Sequence, residues 1–405
     1  MLTPFLRVFV SKGVPADVNI YVIYLLNLLE TVLSYWLFAS KTTVLEMYQR
    51  NDVSNRIYLV TSTVRYALQC FMLLFFPNYY LYLVIVILAQ ILEKALIALV
   101  VNRRYPEYRT VLPASQEIKE GVFQKAGGLL FHRIGGVVVN SADALVITGF
   151  LGLGVLGKYQ NYLQIMTAVS GMIGLINSSW YVGIGNTIAR EGVEASYKSF
   201  EHYTFLEFSV GTVCCCCFLN LYQPFISLWV GPDMLLEDGV VMLLCVYFYV
   251  ARLMMPGNMF ENIGGIWAKD KYRPFMEGLF NLGLNFILVH LIGLYGIILS
   301  TIFSMAFLSI PWLYHTVMHE LFKKNTAYFL KKLSLYAAST AVICAVSSFS
   351  CKIIPLCAFP LVNLIIKALI SVAVPLLLLY ALYRKCEAWE WTLCHIRSFI
   401  HLRRF

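Results

Sequence analysis

Residues 79–102 read Y-Y-L-Y-L-V-I-V-I-L-A-Q-I-L-E-K-A-L-I-A-L-V-V-N, and only Glu93 and Lys94 carry charge in this stretch. A helix needs about 20 apolar residues to cross roughly 30 Å of hydrocarbon, so the stretch is long enough to span a bilayer. Within lipid, only a helix satisfies its backbone hydrogen bonds inside one segment. The stretch is therefore predicted to be a transmembrane helix.

Runs of the same kind follow one another along the whole chain. The predicted spans are 18–40, 57–76, 79–102, 127–150, 157–187, 204–222, 239–260, 274–292, 295–314, 333–350 and 361–383. The chain is 60% hydrophobic and only 13% charged, whereas an ordinary soluble domain has about 25% charged residues. The sequence therefore predicts an all-α, polytopic membrane helix bundle of eleven spans.

Lysine and arginine lie in alternate loops, which predicts the orientation of the spans. The positive clusters are Lys41, Arg50 and Arg56; Arg103, Arg104, Arg109, Lys119 and Lys125; Arg190 and Lys198; Lys269, Lys271 and Arg273; Lys323, Lys324, Lys331 and Lys332; and Arg384, Lys385, Arg397, Arg403 and Arg404. The other side has only Arg7, Lys12, Lys158 and Lys352. Positive loops stay in the cytoplasm. We therefore predict a cytoplasmic C-terminus, and we assign the net charge of +9 to orientation rather than to nucleic-acid binding.

Little in the sequence indicates an enzyme or a metal protein. The eleven cysteines lie mostly inside the predicted spans, without the spacing of metal ligands or of a disulfide framework. No loop is long enough for a soluble catalytic domain, and none of the histidines has a partner at a useful spacing. We predict a protein that is not an enzyme and that has no cofactor.

Several short motifs occur in an order that is typical of one family. Residues 137–143 read V-V-V-N-S-A-D, residues 145–151 read L-V-I-T-G-F-L, and residues 157–162 read G-K-Y-Q-N-Y. Further motifs are L-S-Y-W-L-F-A-S-K at 33–41, Q-R-N-D-V at 49–53, Q-P-F-I-S-L-W-V-G at 223–231, W-A-K-D-K-Y-R-P at 267–274 and Y-G-I-I-L-S at 295–300. Together they resemble polysaccharide flippases of the multidrug/oligosaccharidyl-lipid/polysaccharide exporter superfamily.

The resemblance implies two lobes of six helices that share a fold, often with two extra C-terminal helices. The eleven spans and the short apolar segment 1–10 correspond to helices three to fourteen of that family. The implied domains are a partial N-terminal lobe at 1–112, a six-helix lobe at 113–320, and two additional helices with a cytoplasmic tail at 321–405. Because the family's first two helices line its central cavity, an inactive, N-terminally truncated remnant is one alternative.

Three polar residues of span 127–150 form one candidate site. Arg133 and Asn140 are seven residues apart and share a helix face, and Asp143 borders that face. They fit a polar wall in which Arg133 attracts an anionic group, although Arg133 could instead extend to the cytoplasmic interface. Asp143 fits either a coupling carboxylate for a cation or the buried partner of an arginine on another helix.

Arg65, at the middle of span 57–76, is a second candidate for a cation in a cavity. In span 157–187, small and polar residues recur on one face. This stripe consists of Gln160, Gln164, Thr167, Gly171, Gly174 and Ser178. It predicts either a tight helix–helix seam or a cavity lining, in which Gln164 contacts sugar.

The span 239–260 contains a predicted kink at Pro256 and Gly257, with Arg252 before it and Glu261 after it. We interpret Pro256, Gly257 and Glu261 as a candidate hinge or gate, and Arg252 as a third cation for the anionic group of a substrate.

These residues lead to two transport hypotheses. The first is a flippase of the bacterial inner membrane that translocates a polyprenyl-diphosphate-linked oligosaccharide for surface polysaccharide synthesis. Its partners would be the lipid-linked oligosaccharide, membrane lipids and other polysaccharide assembly proteins. The second is a cation-coupled multidrug exporter of the same fold, which would need a cavity rich in carboxylates.

Overall fold

The computed structural model describes residues 19–48, 50–108, 141–190, 192–353 and 359–393. In these ranges the chain forms helices joined by short turns and contains no strand. Eight helices are long and apolar enough to cross a membrane, or nine if one bent pair is counted as a single span. The all-α, polytopic membrane bundle predicted from the sequence is therefore confirmed. Contacts divide the described residues into two compact units, one before residue 109 and one after residue 140.

The described residues of the N-terminal unit form four α-helices. They are α1 (Ile20–Trp36), α2 (Ala39–Met47), α3 (Asn51–Phe75) and α4 (Tyr79–Arg104). The helices α1 and α2 are bent by 45° at their junction, where Phe38 has a left-handed backbone. The side chains of Asn19 and Asn78 accept backbone N–H bonds at the starts of α1 and α4, as favourable N-cap residues do.

In the described part of the C-terminal unit there are eight longer helices. They are α5 (Ser141–Leu151), α6 (Leu153–Arg190), α7 (Gly192–Trp229), α8 (Asp238–Gly264), α9 (Arg273–Ile292), α10 (Leu294–Phe322), α11 (Thr326–Ile353) and α12 (Pro360–Tyr383). Two π-helical turns interrupt α10, at Ser304–Ser309 and Met318–Phe322.

The helix α7 packs at the centre of this unit through aromatic and small polar side chains. The rings of Phe208 on α7 and Tyr336 on α11 stack with their centroids 4.2 Å apart. The hydroxyl oxygens of Thr212 and Thr340 are 2.7 Å apart across the same two helices. Polar pairs of this kind hold helices together in lipid, where hydrophobic burial gives no driving force between them.

Three of the eleven predicted spans are not among the eight apolar helices of the described residues. The predicted span 18–40 corresponds to the bent pair α1 and α2. The first part of the predicted span 127–150, up to residue 140, lies outside the described residues. Its last part is the short helix α5. The predicted span 157–187 corresponds to α6, which is fully helical but is not among the eight.

Candidate functional site

A cavity of about 840 Å³ lies inside the C-terminal unit, between helices that each contribute polar side chains. Its polar lining includes Asp143, Gln160, Gln164, Thr167, Arg252 and Glu277. Ionisable residues at membrane depth cost several kcal/mol unless they face a cavity or a partner. The cavity explains why these groups are found within helices that are otherwise apolar.

Arg252 provides the positive charge of this lining. It lies on α8 and is only 5% exposed, yet its Nη1 atom has no hydrogen-bond acceptor among the described residues. Its aliphatic stem packs closely against α7, because a Cβ atom added at Gly211 would lie 3.4 Å from the Cβ of Arg252. The close packing against α7 therefore fixes the position of the Arg252 side chain, which lines the cavity.

Glu207 on α7 is the counter-charge of Arg252. Its Oε2 lies 3.5 Å from the Nε of Arg252. Its Oε1 accepts hydrogen bonds from Asn177 Nδ2 on α6 at 2.5 Å and from the Tyr203 hydroxyl at 3.0 Å. The carboxylate therefore joins α6, α7 and α8, so a displacement of any of these helices would disturb the orientation of Arg252.

Asp143 has neutral partners rather than an arginine. Its Oδ1 accepts from Asn285 Nδ2 at 2.8 Å, and its Oδ2 accepts from the Thr301 hydroxyl at 2.9 Å. Asn281 in turn donates to Thr301 at 2.9 Å. Of the two roles that we considered for Asp143, the buried partner of an arginine on another helix is wrong for the described residues. The side-chain carboxyl group of Asp143 is held by these hydrogen bonds and lines the cavity.

The first part of the polar stripe on α6 faces this cavity. Gln160, Gln164 and Thr167 line the cavity. A Cβ atom added at Gly171 or Gly174 would meet no described atom within 4 Å, so these glycines are not in a tight seam with the described helices. The cavity-lining interpretation of the stripe agrees with the structure at these three polar positions.

The predicted hinge residues lie on a continuous helix. The helix α8 runs from Asp238 to Gly264 through Pro256. Gly257 packs directly against α10, because a Cβ atom added there would lie 2.7 Å from a methyl carbon of Leu313. Glu261 is buried and pairs with Arg273 on α9. Gating by these residues stays a prediction.

Arg65 lies in the N-terminal unit, beside a hollow of about 220 Å³ between α1, α3 and α4. The polar and charged lining of the hollow is Glu30, Ser34, Tyr58, Thr61, Ser62, Arg65, Gln90, Glu93 and Lys94. The Nε of Arg65 and the Oε1 of Gln90 are buried without a hydrogen-bond partner in this part of the structure. Arg65 is therefore next to a polar space, as the sequence predicted.

Three of the predicted site residues, Asp143, Gln164 and Arg252, come together in one cavity. Arg65 lines a different hollow, and Glu261 belongs to a separate cluster. Arg133 and Asn140 lie outside the described residues. The sequence analysis missed Glu207, Glu277, Asn285 and Thr301. Glu207 and Glu277 could have been identified as carboxylates inside predicted spans.

The cavity contains fewer of the predicted cations than carboxyl groups. Asp143 and Glu277 line the cavity, and Glu207 lies beside it, so carboxyl groups outnumber the single guanidinium of Arg252. The lining therefore offers one donor-rich position for an anion and two acidic positions for a cation.

Comparisons of the chain with protein-family models, with curated proteins and with solved structures find no match.

Proposed function

We propose that this membrane protein is a flippase that translocates a polyprenyl-diphosphate-linked oligosaccharide across the bacterial inner membrane by alternating access. The observation that carries the proposal is the polar cavity at membrane depth, with the unpaired Nη1 of Arg252 in its lining. A substrate with a diphosphate and sugars cannot cross hydrocarbon unless polar groups replace the water around them.

Arg252 is the residue that we assign to the diphosphate. A guanidinium donates to phosphate oxygens in a fixed planar geometry, and the free Nη1 supplies such a donor. Glu207 neutralises part of its charge, which keeps the arginine stable when the cavity contains no anion. Arg65, in the hollow of the N-terminal unit, is a separate candidate for binding an anionic group.

Gln160 and Gln164 are the residues that we assign to sugar. Each side-chain amide has both donor and acceptor atoms, which suits hydroxyl groups. The two are four residues apart on α6, so they lie one above the other on one helix face. The volume of about 840 Å³ is within the range of roughly 300–1,000 Å³ that is usual for small-molecule sites.

A cation-coupled multidrug exporter is the second candidate, and one observation favours it. Asp143 and Glu277 place two carboxyl groups at the cavity, and the hydrogen-bond partners of Asp143, which are Asn285 and Thr301, are neutral. An organic cation could bind these groups. Both candidates use the same cavity, but with charges of opposite sign.

Equilibrium binding to the purified full chain in lipid nanodiscs separates the two functions. The probes are a polyprenyl diphosphate that carries one sugar, the corresponding monophosphate, and tetraphenylphosphonium as an apolar cation. We expect the diphosphate to bind most tightly. The variant Arg252→Met with Glu207→Leu removes both charges together, which avoids a buried unpaired ion, and should weaken diphosphate binding about 10-fold or more, since a hydrogen bond to a charged group contributes about 1.5–3 kcal/mol.

The matched control is Lys352→Met, which removes an exposed cation at the end of α11. It should leave binding unchanged. Equal diphosphate binding by the wild type and by the double variant would contradict the flippase assignment. Tight tetraphenylphosphonium binding that is lost in Asp143→Asn would establish the exporter instead.

A further inference from the structure

A second buried charged cluster lies at the end of α8, apart from the lining of the cavity. Its members are Glu261 on α8, Asp270 in the turn that follows, and Arg273 at the start of α9. The Nη2 of Arg273 donates to Glu261 Oε2 at 3.1 Å and to Asn258 Oδ1 at 3.2 Å, and its Nε donates to Asp270 Oδ2. Glu261 and Arg273 are each 3% exposed, and Asp270 is fully buried.

Each carboxyl group of the cluster has one oxygen that receives no hydrogen bond. These atoms are Glu261 Oε1 and Asp270 Oδ1, and both are buried. The other oxygens of the two carboxyl groups accept from the same guanidinium, that of Arg273. Two ionised carboxylates offer only acceptors, so neither could satisfy the other. A proton on one of them would supply the donor that both oxygens lack.

The charge of the cluster leads to the same conclusion. With both carboxyl groups ionised, two negative charges would share one arginine, and the buried cluster would carry a net charge of −1. With both protonated, Arg273 would be a buried cation without a counter-ion. Uncompensated buried charge is strongly unfavourable in either case. With a single bound proton, the cluster has no net charge and every carboxylate oxygen has a partner.

Other ionisable groups nearby do not supply this donor in the described part of the chain. Lys269 is exposed, and the amino group of Lys271 lies 4.8 Å from the centroid of the Tyr272 ring. On α10, which packs against the end of α8 at Gly264, His319 pairs with Glu320. Glu277, one turn beyond Arg273 on α9, is another carboxyl group and increases the negative charge around the cluster.

We propose that Glu261 and Asp270 together bind one proton beside Arg273, shared between the two carboxyl oxygens that receive no hydrogen bond. A proton suits this place better than a metal ion, because Arg273 already occupies one oxygen of each carboxyl group. Hard cations such as Ca²⁺ need about six to eight oxygen ligands. The proton joins the end of α8 to the start of α9, and both helices contribute side chains to the 840 Å³ cavity. The site does not depend on the proposed transport function.

Infrared spectroscopy of the purified full chain at neutral pH tests the proposal directly. A protonated carboxyl group has a C=O stretching band that a carboxylate lacks. We expect Glu261→Gln and Asp270→Asn each to lose one such band relative to the wild type. The control Asp233→Asn, which changes an exposed carboxyl group, should lose none. Wild-type band intensity in both folded variants would overturn the proposal.

Thermal unfolding gives a second, independent readout. A glutamine at position 261 carries an N–H donor where the proton would be, so Glu261→Gln should unfold at the wild-type temperature at neutral pH. Glu261→Ala lacks both donor and acceptor and should unfold at a lower temperature. The double variant Glu261→Gln with Asp270→Asn leaves Arg273 without a counter-charge and should be less stable than either single variant. Equal destabilisation by Glu261→Gln and Glu261→Ala would contradict a shared proton.

Discussion

The Nε of Arg252 on α8 lies 3.5 Å from the Oε2 of Glu207 on α7, and both side chains are buried. The other oxygen of Glu207 is held by Asn177 and Tyr203. This arrangement keeps a positive charge at the polar cavity without neutralising all of its donors. It provides both a stabilising contact of the bundle and the anion-binding position of the proposed function.

Removal of Glu207 alone should strongly destabilise the protein. Glu207→Ala leaves Arg252 as a buried cation without a partner, a change that typically costs about 3–5 kcal/mol. Chemical unfolding of the purified protein in micelles measures the loss. The control Glu194→Ala removes an exposed carboxylate that pairs with Lys324 and should cost about 1 kcal/mol or less. Similar losses for the two variants would show that Glu207 does not support Arg252.

Asp143 should tolerate asparagine better than alanine. In Asp143→Asn, the amide oxygen can still accept from Asn285. The Thr301 hydroxyl can turn to donate to Ile297 O, which lies at 3.1 Å, and can then accept from the new amide. Asp143→Ala leaves the buried Asn285 donor unpaired, which should cost about 1–3 kcal/mol. Unfolding measurements that rank alanine above asparagine in stability would contradict the observed network.

Gly257 should not tolerate alanine, because α8 and α10 approach each other closely at this position. A Cβ atom there would lie 2.7 Å from Leu313 Cδ2 and 2.8 Å from its Cγ. We expect Gly257→Ala to destabilise the protein by about 1–3 kcal/mol, as overpacking does. The control is Gly283→Ala on α9, where a Cβ atom meets nothing within 4 Å. That change should be neutral or stabilising by up to about 1 kcal/mol. The same effect at both glycines would argue against close packing at Gly257.

Arg65 should be required for transport if the proposed function is correct. Arg65→Ala removes the half-buried guanidinium from the hollow of the N-terminal unit. In cells whose own flippase is deleted and replaced by this chain, we expect loss of surface polysaccharide at normal membrane levels of the protein. The control Arg56→Ala removes an exposed cation near the start of the same helix and should leave polysaccharide unchanged. Normal polysaccharide with Arg65→Ala would remove Arg65 from the site.

The exposed pair of Lys198 and Glu387 should have a small effect that depends on pH and salt. Lys198 Nζ lies 2.5 Å from Glu387 Oε1, and this hydrogen bond lowers the pKa of Glu387. A carboxyl group whose pKa is lower in the folded state stabilises the fold above its unfolded pKa of about 4.3. That stabilisation is lost as the pH falls through the folded pKa.

We therefore expect Glu387→Gln to be slightly less stable than the wild type at neutral pH, and equally stable in acid or at high salt, which screens exposed charges. Unfolding curves at two pH values and two salt concentrations measure this difference. A large loss at neutral pH that persists at high salt would contradict a surface pair.

Helices were easier to predict than the polar contacts between them. The runs 79–102 and 361–383 could be identified because hydropathy is a property of consecutive residues. The pairing of Arg252 with Glu207, and of Asp143 with Asn285 and Thr301, joins residues far apart in the chain. No spacing within one helix indicates which residue on another helix will face it. For this reason the sequence left the role of Asp143 open, and its pairing with Asn285 and Thr301, rather than with an arginine of the described residues, is seen only in the structure.

The sequence by itself determined that this protein is a bundle of membrane-spanning helices, because in lipid each long apolar segment must satisfy its own backbone as a helix. Only the tertiary structure decided which buried polar groups face a cavity and which pair with each other. That choice depends on how helices distant in sequence pack, and Arg252 shows both outcomes, with one nitrogen beside Glu207 and another unpaired in the lining of the cavity.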